Sequence, residues 1–226
     1  MNPDLPKNQI QHIEARYAKE YEYPAADIVR IERALSLIGA RQRVLDVGAF
    51  DGYISEQIAH ANNEVVAFDG SQAALDIASS RGVATAKGDI AATWPFESGS
   101  FDVVFAGEII EHLIDTDSFL KECRRMLVQS GRLIVTTPNL ASLGRRLMLM
   151  FGKNPYIDTA LRAEQAGHVR FFVTESLTLL LRENGFAVRR VLGDSVVFSG
   201  SGAGSPRLAS LFPGLAKSII VEAQVS

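Results

Sequence analysis

The stretch Val44–Ser55, VLDVGAFDGYIS, decides the fold. Val44, Leu45 and Val47 make a short apolar run that stops at Gly48, and helical sequence continues through Ile58 and Ala59. That is a strand, a tight turn and a helix. Such a turn exposes backbone N–H groups at a helix start, and glycine lets a ligand come close to the chain. Asp46, Gly48 and Gly52 occupy it. A dinucleotide fingerprint counted from Gly48 wants glycine at positions 50 and 53, where Phe50 and Tyr53 stand, so a dehydrogenase loses its phosphate cradle.

On the N-terminal side, Ile28, Ile31, Leu35 and Ile38 recur at helical spacing between Ala25 and Ile38, with Gly39 as the stop. On the C-terminal side the rhythm repeats: strand Val65–Phe68, helix Ala73–Ser80, short strand Val83–Ala86, strand Phe101–Ala106, helix Ser118–Val128, strand Leu133–Thr137. Alternation of this kind implies a parallel sheet with helices on both faces, a doubly wound α/β fold. Asp69 closes the second strand where an acid accepts hydrogen bonds from a ribose diol.

After Asn139 the pattern changes. Ala141–Phe151 is helical and rich in Leu and Met, then GKNPY reads as a loop. Thr174 is expected to cap a helix through Glu183 with Gly185 as its stop, and Phe186–Leu192 and Ser218–Val225 read as strands. The connection from Gly193 to Pro213, carrying SGSGAGSP, is expected to be a mobile loop. We expect one domain: N-terminal helices over 1–40, a cofactor-binding core over 41–139, an acceptor-side insertion over 140–170, and a C-terminal helix and strands over 171–226.

Composition narrows the function classes. With 226 residues, 47% of them hydrophobic, the chain can bury one substantial core. Its 23 basic and 26 acidic residues leave a formal charge of −3, which disfavours nucleic acid as a partner. One cysteine, Cys123, cannot form an internal disulfide and shares helical spacing with Phe119, Leu120 and Leu127, so it reads as core. The polar start MNPDLPKNQIQH lacks an apolar signal core and no later apolar run is long enough to span a bilayer, so a cytoplasmic location is expected.

VLDVGAFDGYIS, VVAFDGS, KGDIAATWPF, SFDVVFAGEIIEHL and FLKECRRMLVQSGRLIVTTPN, in that order, resemble the successive motifs of class I S-adenosylmethionine-dependent methyltransferases. The likeness covers Arg43–Asn139. HVRFFVTESLTLLLRENGF resembles the C-terminal part of the branch containing ubiquinone-biosynthesis O-methyltransferases and related bacterial enzymes, and extends it to Val191. The resemblance implies a Rossmann-like, seven-stranded, mostly parallel sheet whose last strand is antiparallel. It implies S-adenosylmethionine with Asp46 and Gly48 at the methionine portion, Asp69 at the ribose and Asp89 with Ile90 at the adenine, and Ala49, Gly52, Gly70 and Gly107 also in the cofactor site. The pattern departs at Phe50, where the family usually has a second glycine.

Methyl transfer from a sulfonium is an in-line displacement, and a hydroxyl acceptor must also lose a proton, so a base or a metal ion is useful. Glu108, Glu111 and His112 follow the fourth strand as E-x-x-E-H; on a helix they would share one face. His168, in GHVRFF, could complete the set. In the related ubiquinone enzymes, and in small-RNA 3′-terminal 2′-O-methyltransferases, a comparable element with a later His binds a divalent cation. For Glu108, Glu111, His112 and His168 this implies a site for Mg²⁺ or Mn²⁺. Catalysis by His112, Glu108 and His168 without metal, and a purely structural His112, stay open.

On the acceptor side, SLGRRLMLMFGKNPY sets Arg145 and Arg146 beside Leu143, Leu147, Leu149, Met150 and Phe151. Residues 142–151 suit a pocket cover, a peripheral membrane contact, or a helix packed on the body with solvated arginines. Tyr17, Tyr21 and Tyr23 suit a lid or ordinary packing. The expected reaction is O-methylation of a small-molecule, lipid-linked or glycan-linked acceptor. The alternatives are methylation of an RNA 3′-terminal ribose and a cofactor-binding protein without catalysis. Oligomeric state is open.

Overall fold

The computed structural model describes residues 25–155, 167–197 and 204–226. The elements run α1 (Ala25–Ile38), β1 (Arg43–Val47), α2 (Tyr53–His60), β2 (Glu64–Asp69), α3 (Gln72–Ser80), β3 (Ala84–Lys87), β4 (Phe101–Gly107), α4 (Thr116–Met126) and β5 (Leu127–Pro138). There follow α5 (Leu143–Met150), α6 (Thr174–Glu183), β6 (Phe186–Gly193), β7 (Val196–Val197), β8 (Gly204–Ser205), α7 (Pro206–Leu211) and β9 (Ser218–Val225). Tyr17, Tyr21 and Tyr23 lie outside the described residues, as do 156–166 and 198–203.

Seven strands form one sheet in the order β3-β2-β1-β4-β5-β9-β6. β3 through β5 are parallel, and β9 runs antiparallel to both neighbours, Thr136 facing Ile220 on one side and Leu192 facing Ile220 on the other. The expected seven-stranded sheet with an antiparallel last strand is therefore present. Strand order reverses between β1 and β4, and the crevice beyond the carboxyl ends of these strands is where open α/β sheets bind ligands.

Strand alternation divides the core into two layers. Leu45, Val47, Val104, Ala106, Leu133, Val135 and Ile219 face Phe119, Leu120, Cys123 and Met126 of α4 and Leu177 and Leu181 of α6. Val44, Val103, Phe105, Ile134 and Ile220 face Ala34, Leu37 and Ile38 of α1, Ile58 of α2 and Leu75 and Ala78 of α3. Cys123 is fully buried, as its helical spacing predicts. Trp94 meets Phe119 edge to face and Phe68 at a tilt, and belongs to the first layer.

Two local expectations change. Val173 is the N-cap of α6 and Thr174 its first residue; the end is secured by Ser176, whose hydroxyl accepts from Val173 N at 3.1 Å. Within the expected loop at 193–213, Ser205 and Pro206 start helix α7, the Ser205 hydroxyl accepting from Leu208 N at 3.2 Å. Ser at the N-cap followed by Pro at the first helical position is a helix start, and the surrounding glycines conceal it. Among the described residues no helix is long and apolar enough to cross a membrane.

Candidate functional site

The turn after β1 is built on left-handed residues. Gly48 and Gly52 have φ of 73°, and Phe50, between them, takes φ 52°. A Cβ at Gly48 would meet Ile109 Cδ1 at 3.0 Å, and one at Gly52 would meet Ala78 Cβ at 2.5 Å, so both positions are hollow by necessity. The turn is tied to β2: Gly48 N and Ala49 N donate to Phe68 O at 2.8 and 3.3 Å, and Phe50 N donates to Asp69 Oδ2 at 3.0 Å. Phe50 thus keeps the path a glycine would take, held there by Asp69.

Asp69 also accepts from Ser71 N at 2.8 Å through Oδ1. Each of its oxygens takes one backbone N–H, leaving a lone pair on each for a diol. Asp46 is placed differently. It is 2% exposed and accepts from the Ser55 hydroxyl at 2.6 Å, beneath the turn. Desolvation pushes its carboxyl up to about 7, with Ser55 opposing and Asp69 adding to the rise. Gly70 and Gly88 follow β2 and β3; a Cβ at Gly88 would strike the Phe68 ring at 2.6 Å. Asp89 is exposed and accepts from Ala91 N at 2.9 Å, while the Ile90 carbonyl takes the Trp94 indole N–H at 3.1 Å.

The E-x-x-E-H segment is not one helical face. Gly107 ends β4, Glu108 is left-handed at φ 54°, and only Ile110–His112 forms a 3₁₀ turn. The two carboxylates therefore part. Glu108 lies on the α1 side, accepting from the Thr136 hydroxyl at 3.1 Å and 3.5 Å from Arg30 Nη1; Arg30 itself donates to Thr136 Oγ1 at 3.1 Å. Burial raises the Glu108 carboxyl above its ordinary range, against the pull of Arg30 and Thr136. Glu111 is 1% exposed on the other side, where its Oε2 accepts from the Thr137 hydroxyl at 3.0 Å. Desolvation first, then the charge of Glu108, raises its carboxyl as well.

The chain returns to this point from far away. Val169 N and Arg170 N both donate to Glu111 O, at 3.0 and 3.1 Å, and Arg170 clamps the Leu113 and Ile114 carbonyls. This brings His168 Nε2 to 3.9 Å from Glu111 Oε1 and its ring to 4.9 Å from that of His112. One ligand atom from each of Glu111, His112 and His168 lies within 4.8 Å of the others. Three of the four expected metal-site residues converge; Glu108 is engaged with Arg30 and Thr136 instead.

Glu111 Oε1 is buried without a hydrogen-bond partner among the described residues. An orphaned carboxylate oxygen beside two imidazoles fits a divalent cation chemically. A Mg²⁺ or Mn²⁺ ion with bonds of about 2.1 Å needs its ligands within about 4.2 Å of one another, so the cluster must close by a few tenths of an ångström. Arg30, Thr136 and Thr137 were not singled out from the sequence. The two threonines had a signal, adjacent hydroxyls at the end of a buried strand; Arg30 had none, because on α1 it reads as a solvent-face residue.

A glycine-hollowed turn after β1, an acid ending β2 and a polar cluster after β4 define a Rossmann-like nucleoside-cofactor domain of the methyltransferase type. Residues 45–135 match the family model described as methyltransferase domain, of the class I S-adenosylmethionine-dependent type. A Mycolicibacterium smegmatis protein described as a probable S-adenosylmethionine-dependent methyltransferase is 34% identical over 165 residues, 72% of this chain and 58% of that protein. A Rhizobium johnstonii ubiquinone biosynthesis O-methyltransferase is 32% identical over 117 residues, 50% of this chain and 47% of the relative. The chain thus spans about half the length of the curated relatives it matches. A solved Thermotoga maritima S-adenosylmethionine-dependent methyltransferase shares the fold, with TM-score 0.68 and 21% identity over 95% of this chain and 99% of its own.

Proposed function

We propose that the chain transfers a methyl group from S-adenosylmethionine to an oxygen of a small-molecule, lipid-linked or glycan-linked acceptor. The observation that carries this reading is the Glu111–His112–His168 cluster set directly after β4, next to the strand bearing the Gly48 turn. S-adenosylmethionine, when bound, supplies an electrophilic methyl on a sulfonium. As the acceptor oxygen bonds to the methyl carbon, the carbon–sulfur bond breaks, the sulfur keeps its electron pair, and the hydroxyl proton must leave. His112, the more exposed imidazole of the pair, is the residue to take that proton. Asp69 orients the ribose, and the Gly48 turn admits the methionine portion.

Glu111, His112 and His168 would hold a divalent cation, and such an ion would lower the pKa of a bound hydroxyl. Glu108, kept on Arg30 and Thr136, stays outside this ligand set.

Calorimetry with S-adenosylhomocysteine tests the cofactor half: Asp69→Ala should weaken binding at least about tenfold, since charge-assisted hydrogen bonds are lost. Unchanged affinity would sink it. Transfer of labelled methyl across a panel of hydroxyl acceptors tests the rest. Tight cofactor binding with no transfer would point to a cofactor-binding protein without turnover.

A further inference from the structure

Outside the site, two segments leave an apolar surface that no other described residue covers. None of the eight residues of α5 is fully buried, and Leu147, Leu149, Met150 and Phe151 are 41%, 54%, 68% and 72% exposed. At the end of α7, Leu211 and Phe212 are 71% and 56% exposed. Both segments rest on the same small ribbon of β7 and β8: Leu143 from α5 and Leu215 from the turn after α7 pack on the buried set Val196, Ala209 and Ala216. Single exposed leucines need no explanation; six large apolar side chains on two short neighbouring segments do.

The charges beside them are one-sided. Residues 140–155 carry Arg145, Arg146 and Lys153, and residues 204–217 carry Arg207 and Lys217, with no Asp or Glu in either stretch of a chain whose formal charge is −3. Lys217 is committed to Asp27 at 2.9 Å. Arg146, Lys153 and Arg207 are exposed. Apolar side chains flanked in sequence by exposed cations suit the boundary of an anionic bilayer, where the apolar groups enter the headgroup layer and the cations meet lipid phosphates. A protein groove would also accept the apolar groups, but the exposed cations Arg146, Lys153 and Arg207, in two stretches without an acid, match a continuous anionic surface.

We propose that α5 and the segment around α7 form a docking surface for an anionic lipid bilayer. The surface stands independently of the acceptor and of the metal. The test is co-sedimentation of the full chain with vesicles of phosphatidylcholine alone or mixed with phosphatidylglycerol. Binding is expected to the mixed vesicles and to fall with added salt. Near an anionic surface each cation strengthens binding about fivefold, so Arg146→Gln/Lys153→Gln/Arg207→Gln should lose roughly 100-fold. Met150→Asp/Phe151→Asp and Leu211→Asp/Phe212→Asp should each abolish sedimentation while melting temperature and S-adenosylhomocysteine affinity stay unchanged. No binding to mixed vesicles, or equal binding by all variants, overturns the proposal. A concentration-dependent dimer abolished by the same substitutions also overturns it, because the surface would then belong to a second copy of the chain.

Discussion

Thr136 and Thr137 are neighbours on β5 yet hold carboxylates on opposite faces of the sheet: the first donates to Glu108, the second to Glu111. Side chains alternate along a strand, so consecutive hydroxyls cannot serve one cluster. Glu108 is drawn toward α1, where Arg30 waits, and Glu111 toward the return of the chain at His168. Two acids three residues apart thus have separate partners.

That separation predicts which substitutions affect a metal. In calorimetric titration of the full chain with Mn²⁺, Glu111→Gln and His168→Ala should each weaken binding by more than about tenfold, and Thr137→Val by about tenfold, because it removes the bond that orients Glu111. Glu108→Gln and Thr136→Val should leave Mn²⁺ affinity within about threefold. If Glu108→Gln proves as damaging as Glu111→Gln, the division between the two faces is wrong.

Much of the fold was legible because it is written in local periods. The runs at Val44–Val47 and Phe101–Ala106 and the helical spacing of Ile28, Ile31, Leu35 and Ile38 need no long-range information. The place of Asp69 at the end of its strand was equally legible. Helical counting does not carry across Glu108, whose left-handed backbone interrupts the count. Arg30 escaped notice because its burial at 6% exposure depends on partners more than 75 residues away, Glu108 and Thr136. At Ser205–Pro206 the glycine-rich composition of SGSGAGSP outweighed a helix start that two residues spell out.

Phe50 offers a comparison internal to the turn. At φ 52° a residue with a Cβ is strained by roughly 1 kcal/mol relative to glycine. Phe50→Gly and Phe50→Ala both delete the ring, so their difference isolates the backbone. Phe50→Gly should be the more stable of the two by about 1 kcal/mol in urea unfolding, the reverse of the order found in helices. Equal stabilities, or a more stable alanine variant, would show that the turn does not hold this conformation in solution.

Gly52 and Gly39 share a left-handed backbone, with φ of 73° and 78°, but differ in surroundings. A Cβ at Gly39 meets nothing within 4 Å, whereas one at Gly52 would overlap Ala78 Cβ at 2.5 Å and its Cα at 2.7 Å. Gly39→Ala should therefore cost about 1 kcal/mol, from backbone strain alone. Gly52→Ala adds the separation of α2 from α3 and should cost about 3 kcal/mol or more, with S-adenosylhomocysteine affinity falling as the turn shifts. Denaturant midpoints of the two variants measure the difference directly.

Asp46 should leave a signature in the dependence of stability on pH. Its carboxyl titrates near 7 in the folded protein against 3.8 ordinarily, chiefly because burial disfavours the charged form. Between those values the folded state holds a proton that the unfolded chain has released, so stability falls as pH rises through the window and levels off above about 7. The slope attributable to Asp46 is at most about 1.4 kcal/mol per pH unit. Asp46→Asn is neutral throughout and its side-chain oxygen can still accept from the Ser55 hydroxyl, so the variant should lose this part of the slope. Urea midpoints for both proteins from pH 4 to pH 8 should converge at the acid end and separate at neutral pH, with the variant the more stable there. Glu108, Glu111 and Asp194 are raised by burial in both proteins and drop out of the difference. Parallel curves would mean that the Asp46 carboxyl is ionised at little cost, and that Ser55 and the turn solvate it far better than its burial implies.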